Sequence, residues 1–169
     1  MAVLDRLSKA SGAASAIALA AIGLVIAAQI VARLLGQQIP AADDFAAWAM
    51  AASAFLALPY AMRHGDHIRV TLILQFLPKA WERGFELLAS ALGVALSGWA
   101  AWHTANFVLD SWRYDEVAQG MLRVPLWIPQ LSMAIGMALL ALMLLDRLWR
   151  GLRGRPLSDA PDGEAARTE

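Results

Sequence analysis

Residues 10–32 read ASGAASAIALAAIGLVIAAQIVA, a run of 23 residues without a charged side chain. The hydrocarbon core of a bilayer is about 30 Å thick, and an α-helix needs roughly 20 apolar residues to cross it. A helix on the surface of a soluble protein carries a polar stripe instead. This run therefore predicts a membrane-spanning helix. The alternative, a cleaved signal peptide, has an apolar part of only about 7–15 residues.

Three further stretches share this character. Uncharged runs lie at 45–62, 87–109 and 124–145, and 59% of the 169 residues are hydrophobic, against roughly 45–50% in soluble domains. The expected fold is all-α, with one membrane domain over residues 1–154. Residues 155–169 predict a disordered cytoplasmic tail, because they have little to bury. The four transmembrane helices are expected at about 11–34, 44–62, 84–109 and 124–146.

The positions of Lys and Arg predict the orientation of these spans. Eleven of the fourteen fall in the N-terminus, the second loop and the C-terminal tail, and the other three are Arg33, Arg113 and Arg123. Cytoplasmic loops carry the excess of positive charge, so both termini are expected in the cytoplasm. The net charge is zero, which argues against nucleic acid as a partner.

The segment between the second and third runs predicts a different kind of helix. Residues 66–77 are too few to span the bilayer, and a helix of this sequence separates polar from apolar side chains. The polar strip holds His67, Thr71, Gln75 and Lys79, and the apolar strip holds Val70, Ile73, Leu74 and Leu77. An amphipathic helix of this kind lies in the plane of the membrane interface. A buried re-entrant piece and an extension of the third span are the alternatives.

The third run carries small residues at a spacing of four. They are Ala89, Gly93, Ser97 and Ala101. Small side chains at this spacing let two helices approach closely in lipid, so these residues predict a helix-packing face. The alternative is chance, since an alanine-rich chain produces such ladders without any packing role.

Ionisable side chains are nearly absent from the predicted spans. Within the four uncharged runs, the only Asp, Glu, Lys, Arg or His is His103, which lies close to the outer end. Secondary transporters hold their ions near the middle of the membrane, on interrupted helices or carboxylates. The chain is therefore not expected to move a charged substrate by itself. No catalytic residue, cofactor or metal site is predicted, and the chain contains no cysteine.

A haem-binding membrane anchor of an electron-transfer complex is the alternative function. Four-helix membrane bundles can ligate haem through histidines on facing helices. The candidates here are His64, His67 and His103. The predicted topology puts the first two at the inner face and the third near the outer face, so they do not form an axial pair at one depth.

Three stretches carry a resemblance to a known family. They are DDFAAW at 43–48, AMRHGDHIRV at 61–70, and GMLRVPLW at 120–127 with Pro129 and Gly136 after it. The chain resembles the small membrane subunit of TRAP transporters, the tripartite ATP-independent periplasmic systems, over roughly residues 10–148. Residues 65–70 match the family signature Gly-x-His-Ile-Arg-Val. The family often has Asp-Glu in place of Asp43-Asp44, and Pro-Leu-Gly in place of residues 133–136. Neither departure changes a charge.

The resemblance implies a scaffold role in the bacterial inner membrane. In this family the small subunit joins a large multi-span subunit, which holds the substrate and sodium sites and moves its transport domain like an elevator. A soluble periplasmic binding protein delivers an organic acid, usually a carboxylate. The small subunit would then be the fixed part of a symporter and not an enzyme.

Two groups of residues are candidates for contact with partners. Asp43 and Asp44 begin the second span at the outer face, where they would contact a partner subunit or the binding protein. The alternative is simple stabilisation of the helix N-terminus, about 0.3–1 kcal/mol each. Arg63, His67 and Arg69 lie at the inner interface, where they would contact lipid phosphates or the partner's loops. The alternative for the two arginines is the ordinary excess of positive charge.

Overall fold

A computed structural model describes residues 2–64 and 79–153 of the chain. These residues form four helices: α1 (Ala2–Leu34), α2 (Ala42–His64), α3 (Lys79–Arg113) and α4 (Trp127–Leu152). Within the described ranges the regular structure is helical, and one isolated β-bridge pairs Val117 with Pro125. The prediction of an all-α chain is therefore confirmed. The predicted interfacial helix at 66–77 and the predicted tail at 155–169 lie outside the described residues.

Three of the helices are long and apolar enough to cross a membrane. They are α1 over Val3–Leu34, with a mean hydropathy of 2.3, α2, with 1.5, and α4, with 2.0. The fourth, α3, has 35 residues but is not among these candidates. The helices carry large apolar side chains on their outer surface, and Leu24 and Leu96 are 71% and 68% exposed. Such surfaces are typical of membrane proteins, because lipid tails are as apolar as the side chains they meet.

The turn between α1 and α2 is built on a glycine. Gly36 adopts a φ of 73°, a left-handed conformation that glycine reaches without a steric penalty. The amide of Gln37 donates to the carbonyl of Ala32 at 2.9 Å, which is the 6→1 bond of a Schellman motif. This motif ends α1 and sends the chain back along it. Asp43 and Asp44 then fall in the first turn of α2.

The helices pack as a row in the order α1, α2, α4, α3. Each helix packs extensively only against its neighbours in this row, and α1 touches α4 at few positions. The pairs α1–α2 and α3–α4 are antiparallel hairpins, while α2 and α4 run side by side in the same direction. The chain N-terminus and the C-terminal ends of α2 and α4 lie at one end of the helices, which we call the inner end. The other, which we call the outer end, holds the 35–41 turn and the 114–126 loop.

The interior of this row is made of small and polar groups. Among the described residues, the buried hydrophobic side chains are few, and Met143 is the largest of them. Serines occupy positions that leucine or isoleucine would fill in a soluble protein. The buried serines are Ser8, Ser11, Ser15, Ser90, Ser97 and Ser111. Because small side chains let helix backbones come close, these residues permit close packing along the seams, the contact surfaces between neighbouring helices.

Candidate functional site

The seam between α1 and α2 is held by a ladder of serine hydroxyls. Ser15 donates to the carbonyl of Ser53 at 2.8 Å, Ser11 donates to that of Leu56, and Ser8 makes a longer contact of 3.5 Å to Pro59. Hydroxyl-to-carbonyl bonds between helices replace the hydrophobic driving force that lipid removes. This ladder was not among the features predicted from the sequence. Its signal was the spacing of three and four residues, which puts the serines on one face of a helix.

Gly12 lies in the middle of the same seam. A Cβ atom at Gly12 would stand 2.7 Å from Cγ of Tyr60, so the ring of Tyr60 rests on the glycine backbone. Tyr60 also stacks on the imidazole of His64, with ring centroids 4.0 Å apart. His64 Nδ1 is 3.0 Å from the carbonyl of Tyr60. The imidazole therefore belongs to the packing of the end of α2.

The seam between α2 and α4 depends on a proline. Pro59 is buried inside α2 and has no N–H, so the carbonyl of Phe55 loses the helical donor four residues later. Gly136 of α4 packs directly on that carbonyl, and a Cβ there would overlap its oxygen and lie 2.7 Å from its carbon. Such Cα–H···O contacts recur at helix–helix interfaces. The seam thus brings a glycine to the one mid-helix carbonyl that Pro59 exposes.

The seam between α3 and α4 contains two of the four residues predicted for a packing face. A Cβ at Gly93 would stand 3.5 Å from Leu144 of α4, and Ser97 is 5% exposed. Ala101 is half-buried and Ala89 is exposed. A strict spacing of four turns about 40° further round the helix at each step. The middle of the ladder, at Gly93 and Ser97, therefore lies in the seam with α4, whereas Ala89 lies outside it.

The inner end carries paired charges. Arg63 at the end of α2 forms an ion pair of 3.1 Å with Asp5 of α1, and the Arg63 side chain is 7% exposed. On α4, Arg150 pairs with Asp146 at 3.1 Å. The other residues predicted for this interface, His67 and Arg69, lie outside the described part of the chain. Arg63 itself ties α1 to α2, and its contact with lipid or a partner stays a prediction.

The described histidines are not brought together. His64 ends α2 at the inner end, whereas His103 lies in the outer half of α3, tilted against the ring of Trp99 with centroids 4.5 Å apart. In the described ranges there is also no group of three His, Cys, Asp or Glu side chains that could hold a metal ion. The arrangement gives no support to the haem hypothesis.

The outer end brings both predicted acidic residues beside a cavity. Asp43 accepts a hydrogen bond of 3.0 Å from Nε2 of Gln29 on α1. The Asp44 carboxylate touches the backbone of Gly120, with Cγ 3.1 Å from the position of a Cβ there. The cavity between them has a volume of about 280 Å³. Its walls also include Arg33, Gln38, Ile39 and Met121.

The 114–126 loop that closes this cavity is held by its own hydrogen bonds. Ser111 donates to Oε2 of Glu116 at 2.7 Å. The amide of Ala118 donates to the carbonyl of Val124, and that of Leu126 donates to Glu116, both at 2.9 Å. These bonds fix the tip of the loop, and Gly120 at that tip meets the start of α2. The outer end is therefore a defined surface to which α1, α2 and the loop all contribute.

Comparison with protein families identifies the chain. Residues 22–154 match the family model described as the DctQ component of tripartite ATP-independent periplasmic transporters. The chain belongs to the DctQ family. The predicted resemblance to the small TRAP membrane component is thus confirmed. No curated protein matches the chain.

The family match covers three of the features described above. It includes the acidic start of α2, the Phe55–Gly136 contact and the 114–126 loop. The serine ladder of α1 precedes the first matched residue, Ile22. DctQ is a component of a transport system and not an enzyme family. This chain is accordingly a helical membrane component of a TRAP transporter.

Proposed function

We propose that this chain is the small permease subunit of a secondary TRAP transporter for organic acids, and that it acts as a rigid scaffold. It would pack against a large transport subunit and work with a periplasmic substrate-binding protein. The family match supports the assignment to this transport system. The sodium gradient as energy source and the carboxylate as substrate follow from the family resemblance alone.

The observation that carries the scaffold role is the construction of the helix seams. The α1–α2 and α2–α4 seams join side chains or glycines of one helix to backbone carbonyls of the next, at Ser53, Leu56 and Phe55. Contacts of this kind fix the distance between two helix axes, because a backbone carbonyl cannot rotate away as a side chain can. The middle of each helix carries no Asp, Glu, Lys or Arg that could bind a transported ion.

We also propose that α3 is a fourth membrane span, with both chain termini in the cytoplasm. Its 35 residues reach about 52 Å at 1.5 Å per residue, and it packs along α4. Basic residues concentrate at the inner end of the helices, which holds the chain N-terminus. They include Arg6, Arg147 and Arg153. At this end the Arg153 guanidinium lies 4.5 Å from the ring centroid of Trp149, an arrangement suited to a membrane interface.

The large subunit would cover the outward face of α3. This helix stands at one edge of the row, and its exposed face holds Trp99, 65% exposed, beside His103. His103 lies six residues before the end of the span expected at 84–109, about 9 Å along the axis. Ionisable groups at that depth face protein or a water-filled cavity and not lipid. Protein cover at this face would shield His103 from lipid tails.

Reconstitution tests the proposed function. The large subunit is placed in proteoliposomes with its binding protein and a sodium gradient, with or without this chain, and uptake of organic acids is measured. We expect uptake only when both membrane subunits are present. The chain alone should give none, because its spans hold no ion site. Uptake by the chain alone, or full uptake by the large subunit alone, would contradict the scaffold role.

A further inference from the structure

The outer cavity is lined by charged side chains of both signs that are not joined in an ion pair. Arg33 lies on one wall, at the end of α1, while Asp43 and Asp44 lie at the start of α2. Within the described residues, Arg33 forms no ion pair with either carboxylate. Asp43 is engaged by Gln29 through one oxygen only. One cationic and two anionic side chains therefore line the same cavity, which has a volume of about 280 Å³.

The surroundings of the cavity are apolar on one side. Ile39 lines it, and the end of α1 beside it exposes Leu34 by 81% and Leu35 by 74%. Ile30 and Val31, one turn earlier, are each 56% exposed. In the proposed topology this region lies at the outer boundary of the membrane, where lipid headgroups meet acyl chains. A polar cavity thus opens beside a continuous apolar strip of α1.

We propose that this cavity binds the headgroup of a zwitterionic aminophospholipid of the outer leaflet. The lipid phosphate would accept hydrogen bonds from Arg33, whose guanidinium presents a planar fork suited to phosphate oxygens. The primary ammonium would donate to Asp44 and to the free oxygen of Asp43. The acyl chains would follow the apolar strip at Leu34 and Leu35. The inference rests on the proposed membrane placement and is independent of the transported substrate.

The charges of the cavity select among possible ligands. An organic acid or an anionic lipid would bring negative charge towards two carboxylates, and like charges at short range repel. A phosphatidylcholine headgroup has no N–H donors for the aspartates. A ligand that carries a phosphate and a primary ammonium satisfies both sides of the cavity. A protein partner could also pair with these charges, but it would not need the apolar strip on α1.

Native mass spectrometry of the full chain in its transporter complex tests this proposal. Phosphatidylethanolamine, phosphatidylcholine and phosphatidylglycerol are added in turn, and the lipid retained by the complex is titrated. We expect phosphatidylethanolamine to bind most tightly. Arg33→Gln and Asp44→Asn should each weaken its binding roughly tenfold, as the loss of one charge-assisted hydrogen bond predicts. Arg123→Gln and Asp115→Asn, exposed charges of the same end of the molecule that do not line the cavity, are the matched controls and should bind as the wild type does.

Several outcomes would overturn the proposal. Equal retention of all three lipids, or unchanged retention in both cavity variants, would show that no headgroup site exists. Weaker capture of the binding protein in these variants, with lipid retention unchanged, would assign the cavity to a protein contact. Displacement of the lipid by soluble glycerophosphoethanolamine at equal concentration would make the ligand a free aminophosphate. If Asp44→Asn fails to fold because Asp44 packs on Gly120, the exposed Arg33→Gln still decides the question. The uptake experiment compares the wild-type chain with its absence, so its outcome is read separately from this lipid titration.

Discussion

The carbonyl group of Phe55 in α2 rests against the Cα of Gly136 in α4, and no side chain could stand between them. Pro59, four residues after Phe55, supplies no N–H to this carbonyl. The proline therefore creates an exposed acceptor in the middle of an apolar helix, and the glycine lets the neighbouring backbone cover it. Pro59 and Gly136 would each weaken a helix in a soluble protein, but here the proline frees the carbonyl that the glycine covers.

Gly136→Ala should destabilise the bundle. The added methyl group would overlap the Phe55 carbonyl and push α4 away from α2, and overpacking of this kind costs about 1–3 kcal/mol. The measurement is the midpoint of thermal unfolding in detergent. Gly23→Ala is the matched control, because a Cβ at Gly23 meets nothing within 4 Å and alanine favours helix by about 1 kcal/mol. Equal midpoints for the two variants would contradict the contact.

Removal of hydroxyls from the α1 seam should loosen the hairpin of α1 and α2. Ser11→Ala and Ser15→Ala each remove a bond to an α2 carbonyl, and such bonds in membrane proteins contribute about 0.6 kcal/mol on average. The double variant should lose about twice as much unfolding free energy as either single variant. Ser132→Ala provides the control, since Ser132 bonds only within its own helix, to Pro129. A loss in Ser132→Ala as large as in the double variant would show that the ladder has no special role.

The ion pair of Asp5 and Arg63 should hold the inner ends of α1 and α2 together. Asp5→Asn removes the partner of a side chain that is only 7% exposed, so the expected cost is about 1 kcal/mol. Arg63→Asp alone places two carboxylates side by side and should cost more. The double exchange, Asp5→Arg with Arg63→Asp, should recover part of the loss. Unfolding free energies of the wild type, Asp5→Arg, Arg63→Asp and the double exchange form the cycle, and the absence of any recovery would show that the two charges do not interact.

The all-α character of the chain was predictable from the sequence, but the arrangement of the helices was not. A long uncharged run indicates a membrane helix whatever residues it packs against. The acidic start of α2 was evident from Asp43 and Asp44. The order of the helices in the row could not be predicted, because small residues occur on every helix and do not identify the helix that they contact. The role of Gly136 was invisible for a related reason. It depends on a carbonyl freed by Pro59 on another helix, so neither residue reveals it alone.

Cross-linking should show which edge of the row faces the large subunit. The chain has no cysteine, so single cysteines can be introduced without a background. Leu96→Cys lies on the exposed face of α3, and Leu24→Cys lies on the far edge, on α1, with a similar exposure. A photoreactive thiol reagent should link the first variant to the large subunit and leave the second unlinked. The opposite pattern would move the proposed interface to α1.

The ladder of α3 offers the sharpest test of the seam with α4, because its members differ in burial while their chemistry is alike. Gly93→Leu would drive a bulky side chain into Leu144, since even a Cβ there stands 3.5 Å from it. Overpacking should cost about 1–3 kcal/mol and lower the unfolding midpoint. Ala89→Leu, one step earlier on the ladder, adds a comparable side chain at an exposed position and should leave the midpoint within experimental error. If both variants unfold as the wild type does, the small residues of α3 reflect composition. If both are destabilised equally, the seam extends to Ala89 and the rotation of the ladder away from α4 is wrong.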